Sequence, residues 1–296
     1  MSMEYIKAKT ILQKCKDSSW FGNEYNMNLY RGCCHGCIYC DSRSECYQIQ
    51  DFDKVRAKEN AAEILRDELR RKIRPGIIGT GSMSDPYNPF EREERLTEKS
   101  LMLIDAYGFG VTVITKSPLI TRDIPLYKQI AEHSPVLCKM TVTTADDELS
   151  RLVEPRVAVS SERFDALAKM SEAGLFTGIT LMPVLPFIED SEDNIRTIVR
   201  RAHECGVRCI YPAFGMTLRA GNREYFYQKL DENFPGMKAR YIRQYGNSYE
   251  CPSPNARRLW KVFTDECGKY GILYEMKAII RAYKAGYEDG QLSFFD

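Results

Sequence analysis

Three cysteines within eight residues, Cys33, Cys37 and Cys40, stand in the spacing C-x3-C-x2-C, with Tyr39 immediately before the last. Thiolates so spaced converge on one centre only when a tight loop folds around it. They are soft, charged ligands that suit an iron–sulfur cluster or zinc. Three of them leave one iron of a four-iron cluster without a protein donor, and an open metal position is where chemistry can happen. Cys34 offers a second register, Cys34-x2-Cys37-x2-Cys40, the beginning of a ferredoxin run. That run asks for a further cysteine where the chain has Ser44. For zinc, no second C-x2-C pair or close histidine pair follows at finger or ribbon spacing. His35 sits inside the loop as one more potential donor.

Something must hold that loop. From residue 28 to about 212, short β-rich runs alternate with segments of helical periodicity, the pattern of a parallel sheet built from βα units. Strands are expected at 27–30, 76–81, 110–115, 138–143, 178–182 and 209–211, and helices at 55–72, 98–106, 124–133, 162–173 and 191–205. Gly76, Gly174 and Gly206 fall where helix ends favour glycine. Six strands are two short of a full eight-unit barrel. A further strand-like run is expected at 272–276, leading into a last segment at 277–287.

Composition narrows the class. At 296 residues, 44% hydrophobic and 28% charged, the chain reads as an ordinary globular α/β protein. No apolar run approaches the roughly 20 residues a membrane helix needs. The N-terminus lacks the apolar stretch of a secretory signal, so a cytoplasmic setting is expected, with the eleven cysteines as reduced thiols plus cluster ligands. A formal charge of +1 makes any nucleic-acid surface local.

After the second expected strand the chain reads Gly79-Thr80-Gly81-Ser82-Met83-Ser84-Asp85-Pro86-Tyr87-Asn88-Pro89-Phe90-Glu91. Two prolines among Asp, Asn and Gly specify either a rigid, amide-rich turn for an anionic or zwitterionic ligand or an ordinary strand-to-helix loop. Together with the three cysteines, Arg31-Gly32-Cys33, Thr115-Lys116-Ser117, and Glu154-Pro155 followed by Arg163, this stretch resembles the radical S-adenosylmethionine enzymes. Within them it is similar to spore photoproduct lyase and the related DNA-repair photolyase-like proteins, over about residues 25–215.

The resemblance implies a partial (β/α)6 TIM-type barrel over 1–215 with a mixed helical C-terminal extension, 216–296, packed on it. It implies that Cys33, Cys37 and Cys40 hold a [4Fe-4S] cluster whose open iron takes S-adenosylmethionine, which is cleaved to a 5′-deoxyadenosyl radical. An electron donor such as flavodoxin or ferredoxin is implied as partner. Tyr39 would lie beside the adenine, and Ser82, Ser84 and Asp85 near the methionine part. Thr115, Lys116 and Ser117 would bind its carboxylate, and Thr143, with Thr144, the ribose. Arg163 would reach a carboxylate, and Met182 would open the adenine-side wall. One departure stands out. Spore photoproduct lyases carry Cys-Thr-Ser-Asp where this chain has Ser82-Met83-Ser84-Asp85, and that cysteine supplies a hydrogen atom; the stronger O–H bond of Ser82 yields one reluctantly.

Substrate choice falls to the extension. Residues 217–270 hold ten Lys or Arg against six Asp or Glu, interleaved with Tyr225, Phe226, Tyr227, Tyr241, Tyr245, Tyr249 and Trp260. Basic and aromatic side chains together grip phosphates and stack on bases, although Tyr241, Tyr245 and Tyr249 at helical spacing also fit a packing stripe. A nucleic-acid base or nucleotide is the first expected substrate. A peptide or small metabolite, or a non-catalytic iron–sulfur or zinc module, are the alternatives.

Overall fold

The computed structural model describes residues 3–72 and 74–287. Its central sheet has seven strands: β1 (Leu12–Lys14), β2 (Tyr25–Met27), β3 (Ile77–Thr80), β4 (Gly110–Thr115), β5 (Val136–Thr141), β6 (Thr177–Leu181) and β7 (Cys209–Pro212). They lie in the spatial order β7-β6-β5-β4-β3-β2-β1. Six pair in parallel, and β1 adds an antiparallel edge against β2. The two ends of this order do not pair, so the curved sheet is an open barrel.

Helices connect the parallel strands: α1 (Ala61–Arg70), α2 (Leu96–Ala106), α3 (Ile124–Ala131), α4 (Asp147–Val153), α5 (Ser160–Glu172) and α6 (Glu192–Glu204). Strands buried on both faces read as continuous apolar runs, and β4, β5 and β6 do so. Val111, Val113, Met140, Ile179 and Leu181 point outward into a cluster with Leu101, Ile104, Phe164, Leu167, Ile195 and Ile198 of the helices. The alternate residues face the lumen. Its lower end, at the starts of the strands, is plugged by Phe21, Ile77, Leu137 and Phe176 with Ile279 and Tyr283.

The chain beyond β7 forms a small ribbon, Gly215–Thr217 with Glu250–Pro252, and four helices: α7 (Asn222–Asn233), α8 (Met237–Tyr245), α9 (Ala256–Tyr270) and α10 (Met276–Lys284). Leu259, Val262, Phe263 and Cys267 of α9 join the cluster around the barrel. Phe226, Leu230, Tyr241 and Cys251 form a second cluster with Cys37, Ile38 and Tyr39 of the cysteine loop.

Four expectations need correction. The run 272–276 is not a strand: Leu273 makes a single bridge to Cys209, and Met276 already opens α10. Residues 56–58 are a strand paired with Glu4–Ile6, not the first turn of a helix. The first barrel strand is Tyr25–Met27, and the cysteines follow a separate short strand, Tyr30–Arg31, which pairs with Arg56 and Ala57. Gly174 and Gly206 do end helices with positive φ (+87° and +71°), whereas Gly76 precedes β3 and is crowded by Tyr25.

Candidate active site

The cysteine loop is held from three sides. Cys33 N–H donates to Phe52 O (2.8 Å), Ile38 N–H to Val153 O (2.9 Å), and Arg156 N–H to His35 O (3.1 Å). Gly32, at φ +79°, lies so close to the Lys54 carbonyl that a Cβ would collide with it. The result turns Cys33, Cys37 and Cys40 into one cavity of about 90 Å³. Cys34 does not line it and packs instead against the main core. The first of the two registers is the one whose three thiols share a cavity.

Facing the thiols are Gly81 to Asp85 from the loop after β3, and Ile114, Thr115 and Lys116 from the end of β4. Gly81 has φ +98°, and a Cβ there would run into the Ile114 carbonyl, so the loop backbone presses directly on β4. Asp85 locks the arrangement: Oδ1 accepts from Tyr87 N–H (2.8 Å) and Thr115 Oγ1 (2.6 Å), and Oδ2 accepts from Lys116 N–H (2.9 Å). Its carboxylate is therefore committed to holding β3 and β4 loops together. Ser84 Oγ donates to Gly32 O (2.5 Å), tying the same loop to the cysteines. Ser82 is exposed at the rim.

A buried charge network stands behind Tyr39. Its hydroxyl donates to Glu154, which is 1% exposed. Glu154 Oε2 lies 2.5 Å from Nη1 of Arg163, which is 0% exposed, while Lys116 Nζ is 4.0 Å from Oε1. Arg163 also donates from Nε to Ala158 O (2.8 Å) and from Nη1 to Thr141 O (2.9 Å). The Glu154 contact is an ion pair rather than an aligned hydrogen bond, and Nη2 has no hydrogen-bond partner among the described residues. Burial opposes ionisation of Glu154, but Arg163 and Lys116 outweigh it and hold the carboxyl below its usual range. Burial likewise works against the Lys116 ammonium, yet Cys37 and Glu154 raise it above the ordinary lysine value. Its Nζ stands 5.7 Å from the Tyr39 ring centre.

Of the residues singled out in the sequence, the structure gathers Cys33, Cys37, Cys40, Tyr39, Ser82, Ser84, Asp85, Thr115 and Lys116 around one cavity. Arg163 reaches a carboxylate, as expected, but that of Glu154. Ser117 caps the following turn at Leu119 N–H (3.4 Å), and Thr143 Oγ1 donates to Glu189 (2.7 Å). Met182 lies past the end of β6, before Pro183. A larger cavity of about 1230 Å³ lies at the opposite end of the barrel, lined by Gly76, Gly110 and Pro135. None of its lining residues is a cysteine.

The comparisons agree. The family model described as the Radical SAM superfamily matches residues 27–199, more than half of the chain. This protein belongs to the Radical SAM superfamily. An uncharacterized protein of Mycobacterium bovis is 30% identical over 247 residues, covering 81% of this chain and 72% of its own. An uncharacterized protein of Methanocaldococcus jannaschii is 30% identical over 63% of this chain and 69% of its own. A cysteine-to-serine mutant of spore photoproduct lyase superimposes with a TM-score of 0.68 over 90% of this chain and 79% of that one, at 14% identity. At that identity the likeness concerns the fold. The partial-barrel class of radical SAM proteins is thereby established for this chain.

Radical SAM proteins bind a [4Fe-4S] cluster and S-adenosylmethionine, and the residues here fit both. Among the described residues no three His, Cys, Asp or Glu side chains are close enough to share one metal ion. A cubane spreads its thiolates over separate irons, so three convergent but separated thiols suit a cluster better than a lone zinc. Burial pushes the Cys33 thiol up to about 12 and raises Cys37 and Cys40 as well, as expected of thiols that ionise only against a metal. Reading the sequence for sites passed over Ser42, Met83 and Thr141, which also line the cavity. Thr141 was within reach: strand alternation puts it on the same face of β5 as Thr143.

Proposed function

We propose that this radical SAM enzyme acts on a nucleic-acid base or nucleotide presented at the mouth of its barrel. When bound, the cluster supplies an electron that splits S-adenosylmethionine to methionine and a hydrogen-abstracting 5′-deoxyadenosyl radical. The chain's own residues arrange this. Cys33, Cys37 and Cys40 hold the cluster. Lys116, with Thr115 and Ser117 beside it, offers a cation to the methionine carboxylate, and the Gly81–Ser84 backbone supplies its bed. Tyr39, pinned through Glu154 to Arg163, gives the adenine a ring to lie against. Thr143, whose hydroxyl donates to Glu189, and Met182, past the end of β6, would lie on the ribose and adenine sides of the bound cofactor. Asp85 acts as a positioning residue.

The observation that carries the substrate class is a stacked basic surface beside the cysteine loop. Arg43 lies 3.8 Å from the Tyr225 ring centre and 4.8 Å from that of Phe52. Arg219 stands 4.7 Å from Tyr249, and Arg240 3.9 Å from Phe187. Arg43 is already paired with Asp53 between its two rings, so the half-exposed Arg219 and the exposed Arg240 are the flat cations that offer bases further stacking surface and phosphates a charge. The comparison structures include spore photoproduct lyase with bound AdoMet and dinucleoside spore photoproduct, at 14% identity. Lesion repair by the same hydrogen donor is not supported: the thiols lining this cavity are the three of the cluster loop, and Ser82 stands at the rim.

Anaerobically reconstituted protein is expected to release 5′-deoxyadenosine from S-adenosylmethionine with dithionite. Single-stranded oligonucleotide should raise that yield and bind with strong salt dependence. No 5′-deoxyadenosine would remove the enzyme; no gel shift at low salt and no rise in yield would remove the nucleic-acid substrate alone.

A further inference from the structure

One side chain in the cysteine cavity has no partner within the protein. His35 is 4% exposed and lines that cavity together with Cys33 and Cys37, which flank it two residues away on either side. Cys34 and Gly36, the residues between, do not line it. The His35 backbone is fixed through its carbonyl, which accepts from Arg156 N–H (3.1 Å). The ring is therefore built into the loop that carries the thiols and turned the way they are.

An imidazole keeps at least one N–H in either protonation state, and a buried donor is expected to be paired. The carboxylate beside it is that of Asp85, whose Oδ2 stands 3.5 Å from Nδ1, too long for a hydrogen bond. That oxygen already accepts from Lys116 N–H, and Oδ1 accepts from Tyr87 N–H and Thr115 Oγ1. Asp85 steadies the ring without satisfying it, as outer partners of metal-site groups do. The acceptor must come from what fills the cavity. The cofactor's head group has Lys116 and the Gly81–Ser84 backbone to hold it, whereas the inside of the loop, between two thiols, belongs to the cluster. A [4Fe-4S] cluster on three thiolates is anionic, rich in sulfur acceptors, and more negative still once reduced. Hydrogen bonds to its sulfurs are one of the protein's means of setting its potential.

We propose that His35 donates a ring N–H to a sulfur of the cluster and raises its reduction potential, easing entry of the electron from a carrier. The proposal rests on the cluster and not on the substrate class, so failure of the nucleic-acid assays leaves it untouched.

The test is a redox titration of reconstituted wild type, His35→Phe and His35→Gln without S-adenosylmethionine or substrate, following the reduced cluster by electron paramagnetic resonance. Phe fills the place of the ring and donates nothing; Gln restores an N–H. His35→Phe should shift the reduction equilibrium about tenfold towards the oxidised cluster, a fall of about 59 mV for a one-electron couple, and His35→Gln should recover much of it. Unchanged potentials overturn the proposal, as does an equal fall in both variants, which would mark a packing role. Should neither variant hold iron, wild type alone decides. The chain has three histidines, and His133, paired with Asp105, and His203, stacked on Tyr270, lie outside the cavity. With isotope-labelled histidine, pulsed resonance of the reduced cluster should show a weak coupling to a ring nitrogen. No coupling, or one as strong as that of an iron-bound imidazole, overturns the proposal.

Discussion

Replacing Glu154 by Gln keeps the shape of the side chain and removes its charge from the centre of the network behind Tyr39. Arg163, 0% exposed, would then hold a positive charge with no counter-ion. Breaking a buried pair from one side costs about 3–5 kcal/mol. The amide oxygen still accepts from Tyr39, so little more is lost there. At about 2 °C per kcal/mol for a chain of this size, the unfolding midpoint at neutral pH should fall by roughly 6–10 °C in scanning calorimetry. A Glu154→Gln/Arg163→Met double variant should recover part of that loss, because both charges then leave together. The pH dependence has a definite sign. The folded carboxyl is held below its usual range by Arg163 and Lys116 against the effect of burial. Its contribution is therefore present above about pH 4.3 and lost as pH falls through the lower folded value. Wild type and Glu154→Gln should converge in acid. A gap below about 2 °C at neutral pH, or one that stays constant down to acid, would refute the network as a source of stability.

The remaining expectations are simpler. Cys34→Ala should retain iron and the visible absorbance of the reconstituted cluster, whereas Cys33→Ala should lose both; the reverse pattern would overturn the register. Gly81→Ala adds a Cβ against the Ile114 carbonyl at φ +98°, so it should lower the midpoint by several degrees and weaken S-adenosylmethionine binding measured by calorimetry. Lys139 has a folded value of about 7 against about 10.4 unfolded. The unfolded chain thus binds the extra proton between those values, and stability should rise with pH across them, by an amount on the order of 4 kcal/mol. A flat profile there would contradict a buried, neutral lysine.

The metal loop was legible because spacing carries it: C-x3-C-x2-C admits few geometries, and the βα alternation named the six parallel strands to within a few residues. The Cys33 register was favoured in the sequence by the resemblance and by Ser44 standing where the Cys34 run needs a cysteine; that Cys34 packs away from the cavity of the other three depends on side-chain direction, which spacing does not carry. Asp85 stood out by type and position, but the sequence could not show that Thr115 and the Lys116 amide already claim both its oxygens. Arg163 at a helix start foretold a carboxylate partner; that the partner is Glu154 depends on a contact made through folding. Lys139 was hidden most completely. Alternation places it opposite Met140, but one strand alone does not say which of its two faces becomes the lumen. The run 272–276 misled for the opposite reason, being apolar enough for a strand while finding a single bridging partner at Cys209.

The unpaired flanks of the sheet, β7 on one side and β1 on the other, give this vessel a seam. Widening it breaks no ladder between strands of the sheet; what spans it is the segment from Leu273, bonded to the edge of β7, to Tyr283, whose hydroxyl donates to Phe21 O (2.6 Å) between β1 and β2. Changes in length after Pro212 that spare the packing of Phe226, Leu230, Tyr241 and Cys251 on Cys37, Ile38 and Tyr39 can therefore leave the thiol loop in place. Diversity of guests and constancy of the ignition chemistry become separable properties of one scaffold.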